Sequence, residues 1–151
     1  MEEKNITPDD VFSQINDILA VKQEMKVLQG KYNTLSLPLL NNTTHLPQIL
    51  EWYNDVSPDY GKSNRDAKTM YAQCFIFVVV MLYTPCTLAG GKLPFGIRTQ
   101  LSNILQYKSP TSISNIVPNL IFLYRNYRCL RERVDTAFEY ICGKLKSLNL
   151  L

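Results

Sequence analysis

Two sets of residues in this chain have the types and spacing for chemistry with a nucleic acid. Ser109, Thr111, Ser112 and Asn115 bring short hydroxyl and amide side chains together within one brief stretch. Such side chains let a backbone come close to base edges, and an amide such as that of Asn115 can pair bidentately with adenine. Lys92, Arg98, Lys108, Arg125 and Arg128 flank them. Their cations suit backbone phosphates, a contact that releases counterions and positions a protein without reading sequence. From Lys92 to Arg133 the chain holds these five with Arg131 and Arg133, and Glu132 is the one acid among them. Duplex DNA is therefore the expected partner, with Ser109, Thr111, Ser112 and Asn115 at the bases and Lys92, Arg98, Lys108 and Arg125 or Arg128 at phosphates.

The elements that must position these groups are legible nearby. Ile97, Leu101, Ile104 and Leu105 recur at spacings of four, three and one, which sets one apolar face on a helix of about ten residues. Gln106-Tyr107-Lys108-Ser109 breaks that rhythm. Ser109 then supplies an N-cap and Pro110 a proline at the first helical position, so a second helix is expected from Pro110. Ile113, Ile116 and Val117 face inward on it, and Thr111, Ser112, Ser114 and Asn115 outward. Pro118 limits it to roughly eight residues.

The segment 97–117 resembles the helix-turn-helix of bacterial and phage DNA-binding regulators, through Leu101, Ser102, Leu105, Thr111, Ser112, Ile113, Ser114 and Asn115. Ser102 stands where that pattern usually has alanine. Gln106 stands where it has the turn glycine, and the stretch from Leu105 to Ile113 is one residue longer, so the turn must take another backbone shape. The wider segment from Tyr83 to Val134 is similar to small proteins of phages and mobile elements of gut bacteria. The resemblance implies sequence-specific duplex binding by a transcriptional regulator of a phage or mobile element. A dimer would present two recognition helices to two half-sites, which predicts a roughly palindromic operator.

The N-terminal third carries a different signal. Thr7-Pro8-Asp9-Asp10 reads as a capped helix start with carboxylates over the positive end of the helix dipole. Val11, Ile18, Val21, Met25, Leu28, Tyr32 and Leu35 then follow at heptad-like steps, with Gln14 the polar member. This predicts a coiled-coil-like helix over about residues 8–36 that joins copies of the chain into a dimer or higher oligomer. Ile15, Leu19 and Val27 widen the stripe toward a multi-helix contact.

Residues 1–61 hold four Lys/Arg against nine Asp/Glu, whereas residues 62–151 hold twelve against four. The domain boundary is expected where the sign changes: an acidic helical region over 1–61 and a basic DNA-binding domain over 62–151. HLPQILEWYNDV reads as a short buried helix. Glu51, Asp55 and Asp59 step along one face of that region and read as a solvated surface. Met70 to Ala89 is twenty residues without a charge, long enough to span a membrane. Gln73, Thr84, Pro85 and Thr87 interrupt it, and a helix buried in a globular domain is the expectation, with no membrane partner. Beyond Pro118, Leu120, Leu123, Tyr127, Leu130, Val134, Ala137, Phe138, Ile141 and Leu145 predict one long amphipathic helix.

Other chemistry finds little footing. His45 is the single histidine, the cysteines Cys74, Cys86, Cys129 and Cys142 form no C-x-x-C pair, and neither an H-E-x-x-H set nor a phosphate loop occurs. No catalytic residue, cofactor or metal is expected. The acidic N-terminus lacks the basic start and apolar run of a signal peptide, which points to the cytoplasm and free thiols. The fold class expected is all-α, an N-terminal coiled-coil-like helix followed by a helical domain containing a helix-turn-helix. A helical interaction or assembly module without nucleic-acid binding is the alternative, and a membrane-associated protein using residues 70–89 a third.

Overall fold

Every regular element in the computed structural model, which describes Glu3 and residues 5–151, is helical. The chain divides after Ser36 into two units. The first is one helix, α1, Pro8–Leu35. Its start is closed by a capping box: the Thr7 hydroxyl accepts the Asp10 amide at 3.3 Å and the Asp10 carboxylate accepts the Thr7 amide at 2.9 Å. Bonds from Thr7 also hold the Asp10 carboxyl below its ordinary value, the backbone amide most strongly and the hydroxyl after it. No residue of α1 is buried. Its apolar stripe, from Val11 to Leu35, lies open along its whole length.

The second unit starts at Leu37, well before the change of charge sign at 61/62 where the boundary was expected. The helix that carries acidic Glu51 and Asp55 belongs to it, because its apolar side chains are core. That helix, α2, Leu46–Val56, buries Leu46, Ile49, Trp52 and Tyr53. Divided this way, residues 37–151 hold twelve Lys/Arg against seven Asp/Glu. The basic surplus of the compact unit is thus smaller than the sequence division implied.

The centre of the unit is α3, Arg65–Tyr83. Asn64 caps it, its side chain accepting the Ala67 amide at 2.8 Å. All seven residues from Cys74 to Val80 are buried, as are Leu82 and Tyr83. By length and composition α3 passes as a membrane span, yet 61% of its most apolar window lies inside the fold. Burial pushes the Cys74 thiol up to about 12, so it behaves as a small apolar residue. Pro85 has no amide proton to continue the helix, and a 3-10 turn over Pro85–Ala89 follows, closed by Gly90 in the left-handed region at φ 97°. Gly91 is required by close approach: a Cβ there would come 2.8 Å from the Cys86 carbonyl oxygen.

Four helices complete the unit: α4, Phe95–Ile104; α5, Thr111–Ile116; α6, Leu120–Asn126; and α7, Arg128–Ser147. The single long helix expected from Leu120 is α6 and α7, separated at Tyr127, whose backbone is extended. No proline or glycine stands there, so tertiary contacts set the break. Tyr124 stacks on Phe77 of α3 at 5.0 Å between ring centres, and its hydroxyl donates to Asp135 at 2.7 Å. Along α7, Leu130, Val134, Ala137, Ile141 and Leu145 are buried at steps of three and four, and this stripe lies against α2 and α3.

One expectation is overturned by a long-range pair. Asp59 is not a solvated carboxylate; it is buried and accepts from Arg133 Nε at 2.7 Å. Arg133 also donates to the Cys129 carbonyl at 3.4 Å. Burial would lower its pKa, but the Cys129 carbonyl and Asp59 outweigh that and hold it above the ordinary value.

Candidate nucleic-acid interface

The expected ten-residue first helix is α4, with Ile97 and Leu101 buried and Ile104 and Leu105 half-buried against the core. Its end explains how the turn forms without glycine. Gln106 takes the left-handed conformation at φ 61°. Its amide donates to the Asn103 carbonyl at 3.2 Å, and the Tyr107 amide reaches back to the Ser102 carbonyl at 2.9 Å. This pair of bonds is a Schellman closure in which glutamine occupies the place glycine prefers. An L side chain in that region carries roughly 1–2 kcal/mol of strain, so the closure and the packing of Leu105 and Tyr107 over-determine it.

From there the chain runs through exposed Lys108 and Ser109 into α5. The helix begins at Thr111, one residue later than expected, and spans six residues rather than about eight. Pro118 is the cause: without an amide proton it cannot bond to the Ser114 carbonyl, and the chain tightens into a 3-10 turn over Val117–Asn119. The Ser109 hydroxyl accepts the Thr111 amide at 3.2 Å and so satisfies one free donor at the start of α5.

Burial sorts the two faces of α5. Ile113 and Val117 are buried and Ile116 is half-buried, which pins the inner side. Thr111 and Asn115, four apart, are exposed on the outer side, while Ser112 and Ser114 lie between. Ser114 is engaged by its own protein, accepting from Arg98 Nη1 at 3.2 Å. Arg98 also lies 5.1 Å above the Phe95 ring, and its Nε is buried without a partner among the described residues. It braces α4 against α5, a role its sequence position alone did not signal.

The remaining cations are spread over two loops, α6 and α7. Lys92 is exposed in the loop before α4, and Lys108 is exposed in the turn before α5. Arg125 is exposed at the end of α6. Arg128 opens α7, paired to Glu132 at 2.8 Å with both side chains largely in water, a geometry that contributes little. Arg133 leaves the set altogether, because Asp59 neutralises it. The four cysteines are free. Comparison with known protein families, with curated proteins and with solved structures finds no match to this chain.

Proposed function

We propose that this chain binds duplex DNA through the outer face of α5 and self-associates through α1, acting as a regulator of a phage or mobile element. The observation that carries the reading is the exposure of Thr111 and Asn115 on one side of a short helix whose other side is anchored by Ile113 and Val117. A groove-reading helix needs that division: polar tips free, backbone held rigidly. Ser109 and Ser112 flank the tips, and Lys92, Lys108, Arg125 and Arg128 reach phosphates. Arg98 contributes chiefly by fixing α5 relative to α4.

The test is fluorescence anisotropy with the operator selected by the protein from random duplex. Asn115→Ala costs about 1–3 kcal/mol and relaxes preference at one base pair. Lys108→Ala weakens all sequences alike and lowers the salt slope by about one. Salt-independent affinity, or none for any duplex at low salt, removes the reading. In that event the interaction module stands in its place, on the strength of the open apolar stripe of α1.

A further inference from the structure

Away from α5, the compact unit has a cleft of about 450 Å³, within the size range of small-ligand sites. The loop 59–62 supplies one side of it and the α4 closure, Leu105–Tyr107, another; Lys68, Tyr71 and Ala72 of α3 complete the lining. Each loop contributes a tyrosine, Tyr60 and Tyr107, and each contains a residue held in the left-handed region, Gly61 at φ 80° and Gln106 at φ 61°. Tyr60 is 58% exposed and its ring is backed by Tyr71 at 6.1 Å. Tyr71 is held in turn by its hydroxyl, which donates to Asn54.

The electrostatics of the cleft are one-sided. Lys62 and Lys68 line it, and neither has a carboxylate within ion-pair distance among the described residues, where Arg128–Glu132 and Arg133–Asp59 are the pairs formed. Asp59 also lines the cleft, but its charge is already met by Arg133. An open aromatic face offers stacking to any planar base, and two unpaired ammonium groups offer charge to a phosphate. We infer that the cleft binds a nucleoside phosphate, its base on the Tyr60 ring and its phosphate between Lys62 and Lys68. The ligand is either a free nucleotide or an unpaired nucleotide of a strand. The site does not depend on duplex binding by α5.

The experiment is calorimetric titration of the full chain with adenosine 5′-monophosphate, adenosine, inorganic phosphate and a single-stranded oligodeoxyadenylate. The monophosphate is expected to bind at least about tenfold more tightly than adenosine or phosphate alone, since both halves of the cleft engage it. Tyr60→Ala lowers that affinity at least about fivefold and leaves phosphate binding unchanged, whereas Tyr60→Phe retains it, because stacking needs the ring and not the hydroxyl. Lys62→Gln with Lys68→Gln weakens the monophosphate and phosphate together. Tighter binding of the oligonucleotide than of the monophosphate identifies a strand as the source, and equal binding a free nucleotide. Monophosphate affinity no better than that of phosphate, no saturable binding of either nucleotide form, or indifference to the Tyr60 and lysine substitutions overturns the assignment. Asn115→Ala leaves these titrations unchanged, so failure of duplex recognition and failure of this site are read separately.

Discussion

α1 and α3 show what an apolar side chain needs beyond being apolar. α1 presents eleven large apolar side chains to solvent, and α3 buries eleven residues. The difference lies in what surrounds them. From Met70 onward α3 has no charge, so every face can be covered, and α2, α6 and α7 of the same chain supply the cover. α1 carries Asp9, Asp10, Asp17, Lys22, Glu24, Lys26 and Lys31 around its stripe, which permits burial on one side only. At about 25 cal/mol per Å², an open stripe of that length leaves unrealised much of the stabilisation that α3 already has. Its cap makes α1 a good helix, but a cap contributes only about 1 kcal/mol.

Four experiments probe this contrast. Phe75→Ala, in the middle of α3 and packed 5.2 Å from the Tyr53 ring centre, should destabilise the compact unit by about 3–5 kcal/mol, measured by urea unfolding. A loss below about 1 kcal/mol would mean that α3 is less tightly enclosed than its burial implies. On α1, the pair Met25→Glu and Leu28→Glu should leave that unfolding transition in place and weaken self-association about a hundredfold, at roughly 1.5 kcal/mol or more for each side chain. Sedimentation equilibrium reads it; an unchanged association constant rules out the stripe as the contact.

Asp59→Ala tests a polar tie inside the compact unit. It strands Arg133, whose side chain is 26% exposed, and should cost about 2 kcal/mol, less than for a fully enclosed pair because water reaches the guanidinium. Adding Arg133→Leu should recover part of the loss in a double-mutant cycle, and strict additivity would argue against direct coupling. The smallest effect is a gain. Gln106→Gly relieves the left-handed strain at the end of α4 and should raise stability by about 0.5–1 kcal/mol, the strain relieved being partly offset by glycine's chain entropy. A destabilised variant would show that contacts of the glutamine side chain outweigh its strain.

Local signals carried much of the fold. Thr7-Pro8-Asp9-Asp10 announced the start of α1, and Pro85 announced the end of α3, because caps and prolines act on the nearest few backbone groups. The ten-residue α4 followed from four apolar spacings. The candidate site was legible to the same depth: the exposure of Thr111 and Asn115 follows from Ile113 and Val117 needing the inner side. What failed was long-range. Asp59 and Arg133 are 74 residues apart, and nothing in either neighbourhood marks them as partners. The even spacing from Leu120 to Leu145 hid the break at Tyr127, since periodicity records which face is apolar and not whether the axis bends.

By itself, then, the order of residues determined which segments are helices, which sides of them shun water and where capping closes them, because these depend on neighbours within a turn or two. Only the packed chain decided that Gln106 would stand in for glycine, that Arg98 would brace two helices, that Arg133 would be neutralised by Asp59, and that Tyr60, Tyr107 and two lysines would meet around one cleft. Those outcomes depend on groups far apart in sequence brought within a few ångströms, and side-chain spacing along the chain contains no measure of that distance.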